Sequence, residues 1–343
     1  MKFSKPLALL VLILFSLTLI AGCGGKPTPA DKQDSQEQKA PAAAPQQPEK
    51  ISMAAAPPGG SIYVASSAIA KVLKEKLNIE ASIEATGGTV HNYQLVNKGD
   101  SKLGFTLTID SQDGWEGTGK WTNGSKFQDA RALVPLYPVF MQMIARPEAN
   151  IKTAQDLNGK RVWLANAGSG HDSSWRLYFD NMGIKPAAIV NTAPADGSDM
   201  FRDGRIDAMG MISTVPVATF SDLESTNKLA FVSIPQAEIE AFMAKNSFAK
   251  PGVIKAGSFK QLTEDITTIT SYMFLITNKN TDDDLAYRIT KAVLENNPAL
   301  VEGYKKLVDA KVENVDKLNI TYHPGAVKYY KEKGINIPSN LLP

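Results

Sequence analysis

Three short stretches bring glycine together with serine or threonine where a helical pattern begins. They are Pro57-Pro58-Gly59-Gly60-Ser61-Ile62-Tyr63, Thr86-Gly87-Gly88-Thr89-Val90-His91-Asn92 and Asn166-Ala167-Gly168-Ser169-Gly170-His171-Asp172. Glycine lets the backbone approach a ligand closely. The free N–H groups of a first helical turn then donate to an anion, assisted by the helix dipole. One such turn is ordinarily a capped corner; three in one chain argue for a shared anionic ligand. The candidate contacts are Gly59, Gly60, Ser61 and Tyr63; Thr86, Gly87, Gly88, Thr89 and Asn92; and Ala167, Gly168, Ser169, Gly170 and His171. Tyr63 and Tyr137 stand beside turns or strand ends, where a phenol can stack on a ligand or hydrogen-bond to it. Ser169 and His171 either face the ligand or only cap their helix.

Other chemistry is poorly served. Gly168-Ser169-Gly170-His171-Asp172-Ser173 lacks the third glycine of a dinucleotide turn, and positions 190 and 191 are Val and Asn where a ribose-binding acid belongs. Gly114 to Trp121 comes close to a P-loop but ends in Trp, which cannot ligate Mg²⁺. Ser169 lacks the flanking glycines of a nucleophile elbow. The three histidines, 91, 171 and 323, are far apart, and His323 before Pro324 reads as a helix start. Asp110 and Asp113 with Gly114 give a faint calcium-loop pattern of the wrong periodicity. No cofactor or metal is expected, and the chain reads as a binding protein rather than an enzyme.

These turns need elements to hold them, and the sequence alternates strand and helix patterns. KISMAAA (50–56) is a strand candidate. SSAIAKVLKEKL carries Ile69, Val72, Leu73 and Leu77 on one helical face behind Ser66 or Ser67 as cap. IEASIEA (79–85) and KLGFTLTI are strands. ARALVPLY and VFMQMIAR read as strands interrupted by Pro135 and Pro138. RVWLAN and AAIVNT flank a helix whose face is Trp175, Tyr178, Phe179 and Met182, ended by Gly183. IDAMGMIS, LAFVSI and TTITSYMFLITNK are further strands, the last the longest expected. QAEIEAFMAKN, DDDLAYRITKAVLENN and HPGAVKYYKEKG are helices. The rhythm predicts parallel α/β sheets with helices on both faces, and a ligand at the carboxyl ends of the strands.

The chain has 343 residues, 43% hydrophobic and 21% charged, with a formal net charge of +2. That is globular composition without the basic clustering of a nucleic-acid binder. Residues 1–22 read as a lipoprotein signal peptide. Lys2 and Lys5 precede a short apolar core, which ends in small residues before Cys23, the only cysteine in the chain. Cys23 is the expected lipidation site, and residues 23–49, rich in Pro, Ala, Gln and charge, form a tether.

In this order, GGSIYVASSAIAKVL, TGGTVHNYQLVNKGDSKLGF, RALVPLYP, ARPEANIKTAQDLNGKRVWLANAGSG, DGRIDAM, AVLENN and HPGAVKYYKEKG resemble the TAXI-type solute receptors of TRAP transporters. The resemblance covers about residues 58–336. It implies a two-lobed, type II periplasmic-binding-protein-like α/β fold, each lobe a mainly parallel sheet flanked by helices, joined by two crossing segments. Lobe 1 is expected at 50–143 and 272–343, and lobe 2 at 144–271, with crossings near Met141–Pro147 and Thr267–Met273. The resemblance further implies a monomer outside the cytoplasm, anchored by lipid to a bacterial membrane. Such a receptor takes a small organic acid, glutamate or another carboxylate, and partners the membrane subunits of a TRAP permease. Arg146, at the first crossing, either faces the cleft or forms a surface ion pair. One departure bears on the ligand. Val139 follows Tyr137-Pro138 where the family tends to have Glu, so if that Glu meets an amine in relatives, a plain carboxylate is favoured here. A secreted hydrolase or transferase, or a receptor for a sensor kinase, are the alternative functions.

Overall fold

A computed structural model describes residues 47–58 and 60–343. The signal peptide, Cys23, most of the tether and Gly59 lie outside the described residues.

The chain opens with β1 (Glu49–Ala54), α1 (Ser61–Leu77), β2 (Ile79–Glu84), α2 (Thr89–Lys98), β3 (Leu103–Leu107) and α3 (Thr108–Glu116). The long strand β4 (Ala130–Ala145) leads into β5 (Arg161–Trp163), α4 (Gly170–Met182), β6 (Ala188–Val190), α5 (Pro194–Arg202) and β7 (Ala208–Ser213). After these come α6 (Ala218–Glu224), β8 (Ala230–Phe231), α7 (Gln236–Lys245), β9 (Lys250–Ile254) and β10 (Ile266–Asn278). The chain closes with α8 (Asp283–Glu295), α9 (Asn297–Gly303) and α10 (Pro324–Glu332).

The strands join in one sheet of order β2-β1-β3-β10-β4-β7-β5-β6, with β8 on β4 and β9 on β10. Parallel trios β2-β1-β3 and β6-β5-β7 sit at its two ends. Between them β10 and β4 run antiparallel to their neighbours and belong to both halves. β4 pairs with β10 up to Phe140 and with β7 from Phe140 onward. β10 pairs with β9 over Ile266–Thr270 and with β3 over Met273–Thr277. The fold is therefore two-lobed α/β, each lobe carrying a parallel trio with helices packed on it.

Local chemistry explains where the elements fall. α4 buries Trp175, Tyr178 and Phe179, whose rings pack edge-on or tilted at 5.8 to 6.4 Å. Trp175 Nε1 donates to Met211 O on β7 at 3.2 Å, which fixes the helix against the sheet. Gly183 ends α4 with φ of 69°, a conformation glycine adopts without strain. His323 caps α10, its Nδ1 accepting from Gly325 N at 3.2 Å, with Pro324 in the first turn.

Several expectations need correcting. α1 starts at Ser61, so Ser66 and Ser67 are interior residues, and both hydroxyls donate back to Tyr63 O instead of capping. Pro135 and Pro138 do not divide β4. The register with β10 shifts on both sides of Pro135, skipping Leu133 and Leu136, and these irregularities accommodate its missing N–H donor. At 16 residues β4, not β10 at 13, is the longest strand. LAFVSI contributes only the two-residue β8, and β9 and α9 carry no sequence pattern strong enough to predict them.

Candidate functional site

Parallel strands deliver their following helices at one edge of a sheet. The second and third glycine turns sit at that edge, one from each lobe, and they meet there. Gly88 has φ of 119°, which side chains other than glycine rarely adopt, and a Cβ on it would lie 3.4 Å from Ser169 Cα. A Cβ on Gly170 would fall on Thr89 Oγ1 and reach within 2.9 Å of Leu107 Cδ1 and 3.2 Å of Asp110 Oδ2. The start of α4 thus rests directly on the starts of α2 and α3.

Within the second turn the polar side chains hold the backbone. Asn92 is buried; its Nδ2 donates to Ala55 O at 2.7 Å and Phe105 O at 2.9 Å, tying β1 to β3. Its Oδ1 accepts from Thr86 Oγ1 at 2.5 Å, and Thr86 Oγ1 accepts from Gly88 N at 3.1 Å. Gly87 N donates to His91 Nδ1 at 3.2 Å. Thr86 and Asn92 therefore shape the turn, while the buried Thr89 hydroxyl faces the Asp110 carboxyl.

In the third turn Ser169 caps α4, its Oγ accepting from Asp172 N at 3.3 Å. Gly168 N donates to Asp172 Oδ2 at 3.3 Å, and Ala167 is exposed beside it. His171 Nδ1 accepts from Ile212 N at 3.0 Å at the end of β7, and desolvation pushes its pKa down to about 4. The imidazole is thus kept neutral and serves as a brace between α4 and β7. His91, His171 and His323 each spend Nδ1 on a backbone N–H. A hydrolase triad needs Nδ1–H to donate to a carboxylate instead.

Sequence reasoning missed the residue at the centre of this contact. Asp110, on α3, is 0% exposed. Its Oδ1 accepts from Ser173 Oγ on α4 at 2.6 Å, bridging the lobes. The Thr89 hydroxyl is its second hydrogen-bonding neighbour. Burial raises its pKa to about 6, opposed by Ser173 and the nearby Thr89 hydroxyl. Asp113, one turn on, is raised to about 7, by burial first and then by the charge of Asp110. The available signal was an acid three residues beyond the end of the mostly apolar β3, where burial is expensive unless the site uses it. Among the described residues no cluster of His, Cys, Asp or Glu suits a metal.

A second polar group closes the same seam beside the crossing strands. Tyr304, in the loop after α9, meets Thr214 Oγ1 at 3.1 Å beyond the end of β7, with the Ser61 hydroxyl also against it. Tyr137 stands edge-on to Tyr304 at 5.7 Å, and its buried hydroxyl has no partner. Gln142 Nε2 donates to Ser213 O at 2.9 Å and Thr214 O at 3.2 Å, leaving its Oε1 unpartnered. Lys306 Nζ reaches across to Val215 O at 2.7 Å.

The expected site residues divide accordingly. Gly88, Thr89, Ser169 and Gly170 come together, with Thr86, Gly87, Asn92, Gly168 and His171 shaping their turns. Ser61 and Tyr137 join the second group. Gly60 and Ala167 are exposed, and Tyr63 is half-buried on α1. Arg146 is not brought to either group. It follows the last residue of β4, at the far end of that strand from Tyr137; its guanidinium pairs with Glu148 and lies over Gly204.

A model of the NMT1-like family matches residues 53–334. The periplasmic binding protein BugD superposes with a TM-score of 0.51 at 12% identity, over 86% of this chain and 100% of its own. MatC from Rhodopseudomonas palustris, with bound malate, gives 0.49 at 13% identity, over 76% and 88%. The GluR0 ligand-binding core from Nostoc punctiforme, in complex with L-glutamate, gives 0.46 at 17%, over 76% and 100%. The BugD likeness shows the fold, that of a type II periplasmic binding protein. Among the described residues no helix is long and apolar enough to cross a membrane.

Proposed function

The chain belongs to the NMT1-like family, and from that premise we propose that it is an extracytoplasmic solute-binding lipoprotein, anchored through Cys23. It captures a small organic acid by closing its two lobes and hands it to a TRAP-type permease. The observation that carries this reading is the seam between the lobes. Tyr137 OH and Gln142 Oε1 are buried there without hydrogen-bond partners in the chain, and the Asp110 carboxyl is buried there beside the Thr89 hydroxyl. Each such atom costs about 1–3 kcal/mol. Two in one seam, beside a buried carboxyl, make little sense as packing and good sense as a ligand's contacts. A carboxylate accepting from hydroxyls and helix-start N–H groups of both lobes favours the closed form over the open one. Contacts worth about 1.5–3 kcal/mol each reach the roughly 8 kcal/mol of micromolar binding with three to five of them.

A thermal-shift screen of carboxylates, amino acids and phosphoanions tests the reading. A true ligand at about 100 times its Kd stabilises the protein by roughly 2.7 kcal/mol, a rise of several degrees in Tm. No shift with any of them, together with hydrolysis of an ester, removes it. Delivery is tested by reconstitution: solute uptake into vesicles holding the permease and an ion gradient should require this protein.

A further inference from the structure

Resting on the closing of the two lobes, we propose that Lys306 and Tyr304 form a latch between them. Lys306 Nζ on Val215 O and the Tyr304 hydroxyl on Thr214 hold the lobes together, and they set how often the solute site opens.

The loop that carries the latch is a rigid part of lobe 1. A Cβ on Gly303 would come within 2.6 Å of Ala68 Cβ, so the end of α9 sits directly on α1. Leu300 and Leu307, on either side of the loop, are fully buried. Tyr304 N donates to Leu300 O at 2.8 Å, and Asn297 Nδ2 reaches forward to Leu307 O at 2.8 Å and Ala310 O at 3.2 Å. The receiving segment is as firmly part of lobe 2. Gln142 holds the carbonyls of Ser213 and Thr214 from the part of β4 that pairs with β7. Val217 and Phe220, just beyond, are buried. Two fixed edges thus face each other, and a lysine and a pair of hydroxyls reach across.

A lysine ammonium ordinarily stays in water or meets a carboxylate. Lys306 does neither. It is half-buried, pairs with no carboxylate among the described residues, and spends a donor on a neutral carbonyl of the other lobe at 2.7 Å. A hydrogen bond from a charged donor is stronger than a neutral one, and this one exists only while the lobes are together. It therefore stabilises the closed form selectively, with or without solute, and it slows release of a bound solute. A second pair across the lobes makes the contrast. Lys120, in the loop after α3, meets Asp180 on α4 at 2.9 Å, but their side chains are 80% and 59% exposed, where water screens the attraction.

The test reads lobe opening directly, on the full chain with no solute added. Ser169 is 6% exposed, and a Cβ on Gly88 of the other lobe would touch it. The thiol of Ser169→Cys should therefore react with a maleimide only when the seam opens, and peptide mass separates it from Cys23. The labelling rate is compared in Ser169→Cys alone and with Lys306→Met, Lys306→Arg, Tyr304→Phe or Lys120→Met added. Lys306→Met should label at least about 10-fold faster, the effect of losing one charge-assisted bond. Lys306→Arg keeps a charged donor and should restore most of the protection. Tyr304→Phe loses the neutral bond and should speed labelling by less. Lys120→Met should change the rate by less than about 3-fold. These ratios should hold in dilute urea, since opening exposes far less surface than unfolding. Unchanged labelling in Lys306→Met or in Tyr304→Phe overturns the proposal, as does an equal acceleration by Lys120→Met. Acceleration that climbs steeply with urea is the mark of global unfolding and overturns it too. The latch is read without solute, so it stands or falls separately from the receptor reading, which the thermal screen decides.

Discussion

Asp110 offers a prediction that is independent of any ligand. Its carboxyl is fully buried and titrates near pH 6 instead of 3.8. A folded-state pKa raised above the unfolded one means the folded protein holds the proton more tightly. The stability this contributes is present below about pH 4 and is lost as pH rises through 6. The difference of about 2 pH units corresponds to roughly 3 kcal/mol. Asn has the same shape, can still bond to Ser173 Oγ and does not ionise. Asp110→Asn should therefore gain on the wild type by up to about 3 kcal/mol between pH 4 and pH 7. The comparison has to be a difference between the two proteins. His171, held neutral with a pKa near 4, pulls the other way over the same range, and Asp113 pulls with Asp110. Urea unfolding of both proteins at pH 4, 5, 6 and 7 measures it. A pH-independent difference, or a variant that falls further behind as pH rises, refutes the claim that the folded protein holds this carboxyl at a cost. A stabilised variant that no longer recognises its solute would be the mark of a site kept for function.

Three further outcomes follow from the seam. Tyr137→Phe removes a buried hydroxyl with no partner in the chain, so it should leave Tm unchanged or raise it, while solute affinity measured by calorimetry falls by about 1 kcal/mol or more. His171→Asn keeps an acceptor for Ile212 N but cannot take up a proton. His171's depressed pKa contributes stability above about pH 6.5 that is lost on going down to 4, so the variant should lose less stability than the wild type on acidification, as read by urea unfolding. Ser169→Ala should cost about 1 kcal/mol and Ser169→Gly only a few tenths, the signature of a helix cap; equal loss from both would deny that role.

Much of the scaffold was legible because it rests on local rules. The apolar face of α4, its glycine stop, the Pro-started α10 with its histidine cap and the glycine turns all follow from spacing and residue type. What was hidden depends on partners distant in sequence. β4 runs through Pro135 because its register with β10 changes on both sides of that residue. Ser66 and Ser67 look like caps until Ser61 is seen to start the helix. Thr86 and Asn92 have the chemistry of ligand contacts, yet their polar atoms are committed to Ala55, Phe105 and Gly88. Asp110 was visible as an acid but not as a buried one, because its burial is made by Gly170 and Ser173, some sixty residues further along the chain. Tyr304 joins Tyr137 and Thr214 only through the fold.

The central claim is that a small acid binds where the lobes close. Gly170 is where that closure is tightest, since an added methyl group there strikes Thr89 and presses on Leu107 and Asp110. The direct measurement is a calorimetric titration of wild type and Gly170→Ala with whichever acid or amino acid the thermal screen identifies. One saturating site is expected in the wild type and at least about 10-fold weaker binding in Gly170→Ala, at the cost of roughly 1–3 kcal/mol in overpacking the closed form. Equal affinity in the two proteins would contradict it, because the solute would then be bound somewhere other than between the lobes.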